Sequence, residues 1–139
     1  MRFLILLPLL AIFATACSVP TLESKNCLDA QGSLKKLLSM HFDRGFNGND
    51  AYRKERDGYI TERLRGEIDS KKGFDYLTQT TDFPKAFRIG GCTENSENEV
   101  ILDVLLFWKD DKRSEQRQID VSMKNVDDKW LVDKVTTVD

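Results

Sequence analysis

The spacing of hydrophobic and polar side chains changes period near the middle of this chain. In the first half, Leu34, Leu37, Leu38, His41, Phe42 and Phe46 fall at i, i+3, i+4, i+7, i+8 and i+12, which lines them along one helical face. Ser33 stands just ahead of Leu34 as an N-cap, and Gly45 with "NGND" (Asn47 to Asp50) stops the helix. A second helix is expected in "GYITERLRGEIDSKKGFDYLTQ". There Tyr59, Ile60, Arg63, Leu64 and Ile68 keep the same period, and Phe74, Tyr76 and Leu77 extend it until "TDFP" breaks it.

The second half alternates instead. In "EVILDVLLFW", Val100, Leu102, Val104, Leu106 and Trp108 share one face, while Ile101, Asp103, Leu105 and Phe107 share the other. Apolar residues on both faces describe a central strand. "KDDKR" turns the chain, and "QRQIDVSMKNV" sends Ile119, Val121 and Met123 inward. "DDK" is a short turn before a last strand, "WLVDKVTTV", and "AFRIGGC" makes a shorter strand ahead of the long one, with "TENSEN" as the loop between. Helices followed by a meander predict an α+β domain, two N-terminal helices packed on a curved antiparallel sheet of about four strands. With both faces of the long strand apolar, either the sheet curls around the helices or a partner protein covers its second face.

The start of the chain follows neither period. Met1-Arg2 precedes an unbroken apolar run from Phe3 to Phe13, and Ala14-Thr15-Ala16 follows. A short basic start, an apolar stretch and small residues before a cut describe an export signal, and the run is shorter than the roughly 20 residues a membrane-crossing helix needs. Ala14-Thr15-Ala16-Cys17 also resembles the bacterial lipobox, with Ala14 where Leu is usual. On that resemblance, cleavage between Ala16 and Cys17 leaves a lipidated cysteine as the new N-terminus. Residues 1–16 are then a signal peptide, 17–26 the lipidated N-terminus and tether, and 27–139 the α+β domain. Ser18 after the cysteine favours the periplasmic face of the outer membrane over the inner membrane.

The chain holds three cysteines, Cys17, Cys27 and Cys92. If Cys17 carries lipid, Cys27 and Cys92 remain as an even pair in an oxidising compartment. A bridge between them is expected, worth roughly 4 kcal/mol by the chain-entropy model; the alternative is two buried thiols.

Composition removes several classes of function. The net charge is −2 with both signs interspersed, so there is no nucleic-acid footprint. A single histidine without Cys/His clustering leaves no ordinary zinc site, and "KDDKRSE" lacks the ligand spacing of a calcium loop. No glycine-rich phosphate loop is present, and neither Ser33 nor Ser122 lies in a nucleophile motif. No cofactor is called for.

Tyr59-Ile60-Thr61-Glu62-Arg63-Leu64, opening the second helix, and the closing Trp130-Leu131-Val132-Asp133-Lys134-Val135 carry a resemblance. Together with the element order, they resemble bacterial envelope lipoproteins with a nuclear-transport-factor-2-like (cystatin-like), cone-shaped α+β domain of unknown function. That resemblance implies a pocket inside the cone, in which enzymes of this shape place an Asp or a His–Asp pair.

His41 is the one imidazole, on the apolar side of the first helix, and would be the general base of such a site. The plainer reading makes it a core-edge histidine bonded to a carbonyl or carboxylate. Asp103 is the carboxylate on an otherwise apolar strand; because burying it unpaired is costly, it either meets a partner such as Arg63, Arg88 or His41 or looks outward. Tyr52, Tyr59, Tyr76, Phe74 and Phe87 either form core or line a pocket for an apolar ligand. The expectation is therefore a non-catalytic, membrane-anchored envelope lipoprotein. It would bind a protein complex or a small apolar ligand. A cavity enzyme using His41 and Asp103, and an immunity or exclusion lipoprotein, are the alternatives.

Overall fold

A computed structural model describes residues 23–44, 48–70 and 73–138. Three helices precede four strands: α1 (Lys25–Arg44), α2 (Asp50–Arg56), α3 (Glu62–Ser70), β1 (Ala86–Ser96), β2 (Glu99–Lys109), β3 (Ser114–Val126) and β4 (Lys129–Thr137). The strands form one antiparallel sheet in the order β1-β2-β3-β4. This is the expected α+β meander, with one more helix than the spacing predicts.

α1 begins before Leu34 and within the segment read as tether. Its cap is Ser24, whose Oγ accepts from the Cys27 N–H at 3.1 Å. Ser33 is not the cap: it lies inside the helix and donates to the Trp130 carbonyl at 2.6 Å. The apolar stripe starts with two small residues, Cys27 and Ala30, before Leu34, Leu37 and Leu38, and all five are buried. They meet Val100, Leu102, Val104 and Leu106 of β2, Ile119, Val121 and Met123 of β3, and Val132 of β4 in one core. Burying each large aliphatic side chain contributes about 1.5–3 kcal/mol.

α1 touches both sheet edges, β1 and β4, as well as β2. Four strands span about 14 Å between their outer axes, and a helix of 20 residues is about 30 Å long, so α1 lies across the sheet and reaches both edges. Cys27 near the start of α1 is disulfide-bonded to Cys92 of β1, with Cα atoms 5.9 Å apart.

The second predicted helix, Gly58 to Gln79, shrinks to α3, and the unpredicted α2 precedes it. Gly45, Phe46 and Asn47 lie outside the described residues; Asn49 caps α2, its side chain accepting from the Tyr52 N–H at 2.7 Å. Asp50 sits in the first turn of α2, and Arg53, Lys54 and Arg56 in its last, matching the helix dipole. Tyr59 and Ile60 are not helical. Ile60 makes a parallel bridge to Val132, so this short segment covers part of the outer edge of β4. Thr61 caps α3, accepting from the Leu64 N–H at 3.2 Å.

α3 ends at Ser70, and Phe74, Tyr76 and Leu77 do not continue it. The Asp75 carboxylate accepts from the Leu77 N–H at 3.0 Å, a local bond that competes with helix. Asp75 and Thr80 exchange two backbone hydrogen bonds and close the loop, with Gln79 at φ 56°. "TENSEN" is mostly strand: β1 runs to Ser96, leaving a turn at Glu97 and Asn98.

Candidate functional site

At the C-terminal end of α1 lies a cleft of about 680 Å³, lined from α1, α2, α3 and the loop that follows α3. His41 faces it between two partners. Its Nδ1 is bonded to the Tyr52 hydroxyl, and its Nε2 lies 2.7 Å from Asp75 Oδ2. Each element places one member of this array. The stripe of α1 turns His41 inward, the Asn49 cap starts α2 so that Tyr52 faces α1, and the Asp75–Thr80 loop presents the carboxylate.

The side chains of His41 and Asp75 are each 8 % exposed. Asp75 Oδ2 also accepts from the Thr78 hydroxyl at 2.7 Å, and Thr78 shares a 2.8 Å bond with Thr80. Burial opposes the charge on Asp75, but hydrogen bonds from His41, Thr78 and the Leu77 N–H outweigh it and hold the carboxyl below its ordinary value. Burial pushes the Tyr52 phenol well above the usual value, so it stays a neutral hydroxyl. When Tyr52 donates to Nδ1, the tautomer is fixed with the proton on Nε2, directed at Asp75. Such a Tyr–His–Asp array can hold or relay a proton, and it fixes the cleft floor.

The walls are mixed. Arg53 and Arg56 of α2, with Asp57 and Asp69, are polar; Ile68, Phe74 and Phe83 are apolar. Gly48 and Gly73, both with positive φ, lie among the lining residues.

Asp103 is elsewhere. Leu102 and Val104 face α1, so Asp103 points to the opposite side of the sheet from His41, directly across from Asp120. Gly91 leaves room for it: a Cβ there would sit 3.0 Å from Asp103 Oδ2. The paired site of His41 with Asp103 does not form. Arg63, named as a partner for Asp103, instead bonds to Asp133, both through its carboxylate and through its backbone carbonyl.

Of the aromatic residues, Tyr52, Phe74 and Tyr76 line the cleft. Tyr59 borders a separate hollow beside the start of α1, and Phe87 packs on Phe42 with ring centroids 5.0 Å apart. Burial raises the Tyr76 phenol to about 12, helped by Glu67. Ala16 and Cys17 lie outside the described residues. Among the described residues, no group of three His, Cys, Asp or Glu is placed to hold a metal ion, and no helix is long and apolar enough to cross a membrane.

The spacing of apolar residues misses Asp75 and Arg56. "FDYLTQT" reads as a fading helix, although an Asp followed by Thr three residues on is also a turn signal. Arg56 sits on a helix too short and too polar to show a period.

The two segments that carry the family resemblance meet in space. Asp133 is the extra residue of a β-bulge, where the pairing passes from Met123–Val132 to Ser122–Lys134. Its carboxylate accepts from Thr61 at 2.8 Å and lies 3.0 Å from Lys124 Nζ. Burial opposes its charge, while Thr61, Lys124 and Arg63 bring its pKa below the ordinary value.

No protein-family model and no curated protein matches this chain. Solved structures do. A protein of unknown function from Bacteroides thetaiotaomicron is 16 % identical with a TM-score of 0.58, covering 80 % of this chain and 91 % of its own. The Ntf2-like, potential transfer protein TraM from the Gram-positive conjugative plasmid pIP501 is 20 % identical with a TM-score of 0.53, covering 84 % of this chain and 98 % of its own. At these identities the likeness is one of fold. The chain has an α+β fold with nuclear-transport-factor-2-like neighbours.

Proposed function

We propose that this chain is an exported, non-catalytic binding module, held at a membrane by lipid on Cys17, with the cleft beside His41 as its ligand site. The arrangement of the cysteines carries the reading. Cys27 and Cys92 are bonded to each other, which suits an oxidising compartment and leaves Cys17, behind the apolar leader, as the odd cysteine. Lipidation accounts for that oddness. The periplasmic face of the outer membrane is the expected position, from Ser18.

Binding rather than catalysis is supported by the histidine. Both ring nitrogens of His41 are engaged by Tyr52 and Asp75, so the imidazole is committed to the floor of the cleft. The cleft volume lies within the range of small-ligand sites, about 300–1,000 Å³. A tethered domain needs only modest affinity for a neighbour at the same surface, because anchoring raises effective concentration.

Intact mass of the protein from membranes, before and after reduction, tests the anchor. The expected chain starts at an acylated Cys17 and gains the mass of two hydrogens on reduction. A mature chain starting at an unmodified Cys17 would remove the anchor and leave a secreted domain with a spare thiol. Crosslinking in intact membranes should capture one envelope partner reproducibly, and recovery of the domain alone would count against a protein partner. Recovery alone would leave the small-ligand form of the reading.

A further inference from the structure

We propose that the cleft accepts an apolar monocarboxylate, its carboxylate held by Arg56 and Arg53 and its body against Ile68, Phe74 and Phe83. This rests on the reading of the cleft as a ligand site.

Arg56 is unusual among the lining residues: a guanidinium whose side chain is only 8 % exposed. Its Nε and Nη2 donate to Asp57 Oδ1 at 3.1 and 2.8 Å, and Nη2 lies 3.5 Å from Asp69 Oδ1. These contacts fix the plane of the fork and use one side of it. Nη1 meets no acceptor among the described residues. Nor is it sealed in, because the buried side-chain atoms without a partner there are Trp108 Nε1 and Asp120 Oδ1. The two Nη1 donors are thus left for a ligand of the cavity that Arg56 lines.

Arg53 lies three residues earlier on α2, which puts both guanidiniums on one side of the helix. It is held loosely. Its side chain is 60 % exposed and its carboxylate neighbour, Asp50, is 3.9 Å away. The Arg53 Nη2 lies 3.9 Å from where a Cβ on Gly48 would sit.

The acids of the same wall are mostly committed. Asp57 is bonded to Arg56, and Asp75 to His41, Thr78 and the Leu77 N–H. Asp69 is largely exposed beside Arg56 Nη2. The donors left to satisfy are cationic and the facing surface is apolar. A single negative charge matches them; a dianionic phosphate would bring surplus charge against Asp57 and Asp69.

The test uses the full chain, labelled with ¹⁵N, and three probes of one shape: benzoate, benzyl alcohol and benzylamine. Benzoate is expected to bind saturably and to shift the Arg53 and Arg56 Nε–H resonances, with the alcohol and the amine at least tenfold weaker. Arg53→Gln should weaken benzoate by about tenfold, as loss of a charge-assisted hydrogen bond does, and leave the backbone spectrum otherwise intact. Arg56→Lys should weaken it similarly by removing the fork; if that variant fails to fold, exposed Arg53 carries the test. Benzyl alcohol binding as well as benzoate would keep the cleft as a site and overturn the carboxylate. No saturable binding by any of the three would overturn both. Unchanged benzoate affinity in Arg53→Gln would overturn the assigned pair of cations.

Discussion

Asp133 and Asp75 are both carboxylates taken largely out of water, and burial works against the charge of each. Asp133 sits in a bulge of β4 and is held by Thr61, Arg63 and Lys124, which come from the α3 cap, α3 and β3. The two cations keep 46 % of their side chains in solvent. Asp75 sits on a loop and is held by an imidazole, a hydroxyl and a backbone N–H, beside a cavity. The first is a clamp between helix and sheet. The second shapes a wall where something else can bind. A carboxyl held below its ordinary value therefore does not by itself mark a functional site; the cavity and the kind of partner separate the two cases.

Loss of the disulfide is expected to destabilise both regions together. Replacing Cys27 and Cys92 by Ala should cost about 4 kcal/mol, read from urea unfolding, and should leave the cleft spectrum of the folded fraction unchanged. Asp75→Ala is next, at about 3 kcal/mol, because it strands the His41, Thr78 and Leu77 donors. It should also abolish probe binding in the cleft. Asp133→Ala should cost about 2 kcal/mol, less because Arg63 and Lys124 can turn to water, with probe affinity unchanged. If Asp133→Ala disturbs the cleft as much as Asp75→Ala does, the two carboxylates belong to one network and the comparison fails.

The same two carboxyls set the response to acid. Both carboxyls have folded values below the unfolded ones, so their stabilisation is complete above the ordinary carboxylate range near pH 4 and is lost as pH falls through the folded values. Asp75→Asn and Asp133→Asn should each flatten the acid limb of the stability curve. At alkaline pH the sign reverses. Tyr52 and Tyr76 resist ionisation in the folded protein, so stability should fall as pH rises above the free-phenol value of 10, through about 12 for Tyr76. Absorbance of the phenolates during urea unfolding at pH 9 and 11 checks this. The smallest effect is expected of Ser33→Ala, about 1 kcal/mol for the bond to the Trp130 carbonyl.

The strands were legible because buried and more open positions alternate through "EVILDVLLFW" and most of "QRQIDVSMKNV"; in β4 the bulge at Asp133 shifts the alternation, with Val132 and Asp133 both buried. α1 was legible from Leu34 onward and hidden before it, since Cys27 and Ala30 are too small to announce a stripe. α2 was not legible: it is seven residues long with only Tyr52 and Arg56 buried, and periodicity needs more than two turns to show. His41 stood out as a lone imidazole on an apolar face. Its partner did not, because Asp75 lies 34 residues away in a loop whose fold depends on side-chain bonds rather than on a period. Asp103 is conspicuous in the sequence as a charge among apolar neighbours. The sheet has one covered face among the described elements, and Asp103 is on the other.

The bond between Cys27 and Cys92 closes the intervening chain into a covalent ring, and every residue lining the cleft, from His41 to Phe83, lies on that ring. A protease that cuts once between the two cysteines therefore releases nothing. The nicked molecule would migrate as one species until reduced and as two afterwards, and the cleft would stay attached to the sheet that supports it. Under the proposed export, a single cut becomes survivable damage rather than loss of the cleft.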